Sequence, residues 1–128
     1  MIVEASLAHG IDALIVSNTT LERPASLKSG FAGEAGGLSG APLKPFAQKA
    51  LEAAAEAAAG RLPLIAVGGI ESGEDAFARI RAGASAVQVY SALIYEGPGL
   101  VGAIKRDLVA RLRAEGFTSL SEAVGSGR

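Results

Sequence analysis

Three short apolar runs constrain this chain more than any other feature: Ala13-Leu14-Ile15-Val16, Leu64-Ile65-Ala66-Val67 and Ala86-Val87-Gln88-Val89-Tyr90. The first has no apolar/polar alternation, which suits a parallel strand covered on both faces; the second reads as a buried strand and the last as a third. Helical stretches separate them. Ile2 to His9 reads as the tail of a helix closed by Gly10, and Pro42-Leu43-Lys44-Pro45 opens an Ala-rich helix reaching Ala59 and Gly60. Ser72-Gly73-Glu74-Asp75 reads as a hydroxyl cap followed by first-turn acids, starting a helix that runs to Ala82 and stops at Gly83. Pro98 to Glu115 is a further helix, with Leu100, Ile104, Leu108 and Leu112 along one side, and Ser119 to Glu122 is a candidate capping box. Strands and helices in this order imply an α/β fold of parallel strands joined by right-handed crossovers. Three strands cannot close, and a (β/α)8 barrel needs about 250 residues against the 128 present. Any barrel signal therefore means part of a barrel, residues 1–128 forming one partial domain whose exposed strand edges invite association.

Charge and composition narrow the function classes. Twelve Lys plus Arg against 13 Asp plus Glu give a net charge of -1, without the basic cluster that nucleic acid or an anionic membrane would require. The absence of Cys excludes disulfides, thiol catalysis and thiolate metal sites. No apolar window approaches a membrane span, and Met1 to Gly10 lacks a basic n-region, so the chain is expected to be soluble and without a signal peptide. The single His9, beside Gly10 at a helix end, excludes a Ser/His/Asp set. Glu22-Arg23, Lys44 and Lys49 read as solvated surface charges.

The residues with chemical potential follow the strands, where parallel α/β folds place ligands. Gly68-Gly69-Ile70 runs toward the helix start at Ser72, a backbone able to bring N–H groups close to a phosphate. Tyr90-Ser91-Ala92 offers amides and a hydroxyl that complete such a cradle. Each also has a plainer reading, as a tight turn, a packed aromatic or a helix cap. Asn18, Thr19 and Thr20 carry donors and acceptors suited to a planar ring with carbonyl and N–H groups, or else make an Asx or Ser/Thr turn. From Leu21 to Gly40 runs a loop rich in Gly, Ser, Ala and Pro, too long for a compact domain without a reason.

Four strings in order, Ser17-Asn18-Thr19-Thr20, Gly36-Gly37-Leu38-Ser39-Gly40 with Ala41-Pro42-Leu43-Lys44-Pro45, Val67-Gly68-Gly69-Ile70 and Gly83 to Ser91, resemble the C-terminal part of the dihydroorotate dehydrogenases. Tyr90-Ser91 and Leu93 to Pro98 look like class 2, the quinone-reducing type. The resemblance implies about three βα units from the C-terminal part of an FMN-dependent TIM barrel. That barrel oxidises dihydroorotate to orotate in pyrimidine (UMP) biosynthesis, with quinone as acceptor, at the cytoplasmic side of the cell membrane as a peripheral protein. It also implies cofactor roles for Ser17, Gly40, Gly68, Gly69, Tyr90 and Ser91, and substrate contacts for Asn18 and Thr19. The catalytic Ser, the Lys beside the flavin and the membrane-facing helices of that family have no matching motif here, so the isolated chain is expected to be inactive. Two other readings stay open: a non-catalytic partial-barrel module that folds by association, and another FMN- or phosphate-binding barrel oxidoreductase.

Overall fold

The computed structural model describes residues 2–128. In chain order, α1 is Ile2–Ala8, β1 Leu14–Val16, α2 Lys44–Ala58, β2 Leu64–Val67, α3 Gly73–Arg81, β3 Ala86–Gln88, α4 Ser91–Glu96, α5 Gly99–Ala114 and α6 Leu120–Ala123. A single 3-10 turn, Ala41–Leu43, leads into α2. The strands form one parallel sheet in the order β1-β2-β3, with Val16 beside Ala66 and Ala66 beside Val87.

Local chemistry accounts for the boundaries. Pro in the first turn of α2 costs no helical hydrogen bond, because the first N–H groups have no intrahelical partner. The helix stops when Ala59 turns left-handed at φ 48°, one residue before the expected Gly60. The segment after Tyr90 winds into the short helix α4. Ser119 Oγ accepts the Glu122 N–H as the capping box requires, while the Glu122 carboxylate takes the Thr118 N–H and hydroxyl.

The core lies between the sheet and the helices. Leu64 and Ala66 alternate with Ile65 and Val67, so the first two face α2 and α3 and join Val16, Leu51, Phe77, Ile80 and Ile104 in one apolar cluster. Phe77 meets Phe117 edge-on at 6.4 Å. A smaller cluster of Val3, Ala58 and Leu62 seats α1 against the end of α2.

The other face of the sheet departs from expectation. Ile15 is 55% exposed, and Ala86 and Gln88 are also exposed. The first run, read as a strand covered on both faces, is covered here only on the helical side, and of the second, read as buried, Ile65 and Val67 are half-buried on the other. Among the described residues, no helix is long and apolar enough to cross a membrane.

This asymmetry sets a measurable contrast. Leu51→Ala empties a fully buried site and should cost about 2–5 kcal/mol in urea denaturation followed by circular dichroism. Ile15→Ser, on the open face, should stay within about 0.5 kcal/mol of the parent; a larger loss would mean that this face is covered in solution.

Candidate functional site

Because the strands are paired in step, the chain leaves Val16, Val67 and Gln88 at one edge of the sheet. The three exits surround a cavity of about 210 Å3 lined by Ser17, Asn18, Thr19, Gly40, Gly68, Gly69, Tyr90 and Ser91, the eight residues to which the resemblance gives cofactor or substrate roles, while Thr20 is not in its lining. A larger hollow of about 710 Å3 lies on the outer helical surface against Gln48, Glu52, Glu56, Arg81 and Arg128. It touches no strand tip and gathers charges of both signs, so the smaller cavity is the better candidate.

The first wall follows β1. Asn18 Oδ1 accepts the Thr19 N–H at 2.8 Å and the Thr19 hydroxyl at 3.4 Å, so the oxygen side of the carboxamide is engaged locally. Its NH2 group has no partner among the described residues and remains a donor. Thr20 takes the plainer role: its Oγ1 accepts the Glu22 N–H at 3.1 Å, and its backbone pairs antiparallel with Leu38.

The long loop returns to this wall through Arg23. Arg23 is exposed, as expected of a surface charge, but it also donates to the carbonyls of Leu21 (3.1 Å), Ala32 (3.0 Å), Glu34 (3.0 Å) and Gly36 (2.7 Å). A segment without a ladder leaves its carbonyls without partners, and the five N–H donors of one guanidinium can serve several of them. The far end of the loop then lies against β1. A Cβ at Gly37 would fall 1.8 Å from Thr19 Oγ1, so only glycine allows this approach with Thr19 where it stands. Ser91 Oγ donates to Ser39 Oγ at 3.1 Å, fastening the loop to the third wall.

The second wall is Gly68-Gly69. Gly69 has φ 71°, and a Cβ there would lie 2.8 Å from Lys44 Cα; at Gly68 it would lie 2.9 Å from Leu43 Cδ2. Glycine is therefore required by the first turn of α2 behind the turn, independently of any ligand in front. Just beyond the glycine turn, the start of α3 is capped by the chain's own side chains. Ser72 Oγ accepts the Asp75 N–H at 3.1 Å, Asp75 Oδ2 accepts the Glu71 N–H at 3.1 Å, and Glu74 and Asp75 put negative charge in the first turn. The Asp75 amide is thus spent on the Ser72 hydroxyl and the Glu71 amide on the Asp75 carboxylate, and the first-turn acids repel an anion.

Lys44 is likewise more than a surface charge, with its ammonium 2.7 Å from Asp75 and 3.4 Å from Glu71. Burial pushes the Asp75 carboxyl up, but hydrogen bonds from Lys44, the Glu71 amide and Ser72, together with the lysine charge, outweigh it and hold the carboxyl below its ordinary range. Burial also acts downward on Lys44, and its two carboxylates more than compensate, raising it.

At the third wall Tyr90 is exposed, and α4 begins without a side-chain cap: the Leu93 amide bonds back to the Tyr90 carbonyl, and the Ser91 and Ala92 amides have no backbone acceptor among the described residues. The donors available at the cavity are thus backbone N–H groups, the Ser39 hydroxyl, which accepts from Ser91, and the Asn18 amide, a set suited to an anion and a polar ring edge. Sequence reasoning passed over Arg79, which is buried and reaches the Gly68 carbonyl at 3.1 Å. The signal was its spacing: on α3 it shares the helix face of Ala76 and Ile80, both buried.

The family model for dihydroorotate dehydrogenase matches residues 1–112. The chain belongs to the dihydroorotate dehydrogenase family. It is 59% identical over 124 residues to a dihydroorotate dehydrogenase (quinone) from Xanthobacter autotrophicus, covering 97% of this chain and 35% of that protein. A second relative of the same description, from Rhodospirillum rubrum, is 59% identical over 125 residues, covering 98% of this chain and 34% of the relative. The crystal structure of ligand-free dihydroorotate dehydrogenase from Eimeria tenella superposes with a TM-score of 0.93 at 45% identity, covering 98% of this chain and 35% of that one. The chain thus spans about a third of the length of the curated relatives it matches, and its three parallel strands are part of a (β/α)8 barrel.

Two outcomes check the second wall. Gly69→Ala forces a side chain into a left-handed position against Lys44 and should lower stability by about 1–3 kcal/mol in chemical denaturation. Since folding lowers the Asp75 pKa and raises that of Lys44, the pair stabilises the fold above the ordinary carboxylate value of 3.8 and below the ordinary lysine value of 10.5. The Asp75 contribution disappears as pH falls through its depressed folded value, and the Lys44 contribution as pH rises through its raised one. Denaturation midpoints against pH should show a shallower acid limb in Asp75→Asn, and the difference should shrink in high salt because both groups are partly exposed.

Proposed function

We propose that residues 1–128 carry the FMN-phosphate and orotate-contacting segments of a quinone-dependent dihydroorotate dehydrogenase, as one partial FMN-dependent TIM-barrel domain. The whole enzyme would oxidise (S)-dihydroorotate to orotate in pyrimidine biosynthesis and pass the electrons to quinone, as a peripheral protein on the cytoplasmic side of the membrane. The supporting observation is the convergence of Gly68-Gly69 and Tyr90-Ser91, from the ends of neighbouring parallel strands, on one cavity.

The residues fit the phosphate end of a mononucleotide. Amides at Gly69 and at the uncapped start of α4, with the Ser39 hydroxyl that Ser91 holds in place, offer neutral donors that an anion accepts without a counter-charge. Ser17 and Gly40 border the same space and would lie along the flavin. Asn18, with its NH2 group free, and Thr19 would hold the pyrimidine. A volume of about 210 Å3 falls below the roughly 300–1,000 Å3 of complete small-molecule sites, so this chain contributes one side of the pocket. When bound, the flavin supplies the two-electron oxidation. The residues of this chain bind and orient, and none is assigned as the base that removes the substrate proton.

The open sheet face, with Ile15 55% exposed, favours a second reading, a non-catalytic partial barrel that folds by association. Flavin absorbance of the purified chain separates the two: FMN retained at micromolar protein supports the first reading, and protein free of flavin supports the second. If Asn18 faces the pyrimidine, Asn18→Ala should weaken orotate binding about tenfold in calorimetric titration, while FMN binding stays within about twofold. An unchanged orotate affinity would remove Asn18 from the substrate contacts.

A further inference from the structure

Arg79 is the one charged side chain among the described residues that is buried, at 2% exposure. Taking a guanidinium out of water is tolerable only where its N–H groups are answered. Nη2 donates to the carbonyl oxygens of Gly68 at 3.1 Å and Lys44 at 3.0 Å, and Nη1 donates to Gln48 Oε1. Both carbonyls belong to backbone that shapes the cavity. Gly68 opens the turn after β2, and Lys44 opens α2, against whose Cα Gly69 is packed.

Peptide geometry turns these contacts into a direction. In a planar trans peptide the C=O of one residue and the N–H of the next point opposite ways. With the Gly68 carbonyl drawn back to Arg79 beneath the turn, the Gly69 N–H is directed away from the interior, on the side where Gly68 and Gly69 line the cavity. That amide has no backbone acceptor among the described residues. Lys44 and Gln48 hold the guanidinium from the α2 side, so the orientation is fixed from two elements.

We propose that Arg79 is a positioning residue that aims the Gly69 amide at a phosphate monoester, and so sets the preference of the site for a phosphorylated flavin over the same flavin without phosphate. The inference rests on the FMN reading given above and deepens it. Arg79 touches no ligand in this scheme; it acts through one peptide unit.

The probes are FMN and riboflavin, which share ring and ribityl chain and differ by the phosphate, each titrated by fluorescence quenching into this chain. The parent chain should prefer FMN. Arg79→Met should weaken FMN binding about tenfold or more, the scale expected when a charge-assisted hydrogen bond is lost, while riboflavin binding stays within about twofold. Arg79→Lys, which keeps the charge but not the two-carbonyl fork, should give an intermediate preference, and it decides the matter if Arg79→Met loses the parent circular dichroism spectrum. Equal weakening of both ligands, or a preference for FMN that survives both substitutions, overturns the inference alone. A parent chain with no preference for FMN overturns the reading of the site together with it.

Discussion

Everything at the candidate site depends on three strands being paired in step. Val16, Ala66 and Val87 stand side by side, so three loops of very different length and composition leave the sheet at the same level. In a parallel sheet a slip of one residue would turn each apolar set to the opposite face. Leu64 and Ala66 are almost completely buried against the helices, which makes such a slip costly. The cavity is thus a by-product of core packing: hydrophobic burial fixes the register, and the register brings Ser17, Gly69 and Ser91 around one space.

The two faces of the sheet are treated differently. Toward the helices, small residues such as Ala66, Ala76 and Ala84 permit close packing, and the larger Leu51, Leu64 and Ile80 fill what remains. Away from them, Ile15 and Ile65 stand side by side with Ala86 as an apolar row without a helical cover of its own. Relatives about three times as long, of which this chain matches a third, provide the setting in which such a row becomes the wall of a closed cylinder.

Much of this was legible in the residues. Short apolar runs bounded by Gly, Ser and Asn revealed the strands, and Ser72 followed by Asp75 revealed a helix start, because these signals act over a few residues. The gathering of Asn18, Gly69 and Tyr90 was legible too, since the ends of parallel strands share an edge. What escaped depends on contacts between distant segments. Arg23 serves carbonyls up to 13 residues away, and nothing in its neighbours distinguishes it from a solvated arginine. Arg79 bonds to backbone 11 and 35 residues away, and a carbonyl acceptor leaves no mark on residue identity. The glycine pair was read for what lies in front of it, whereas the nearest constraint comes from α2 behind it. Similarly, an apolar strand shows what prefers burial and is silent about which atoms will supply it.

Lys44 joins three of these features in one residue. Its carbonyl is held by Arg79, its ammonium by Asp75 and Glu71, and its Cα stands where a side chain at Gly69 would have to go. The outer helix and the inner turn are therefore geared together at a single α-carbon. A guest that reshapes the turn must drag the first turn of the helix with it, so the width of the pocket mouth is governed from the rear of the layer.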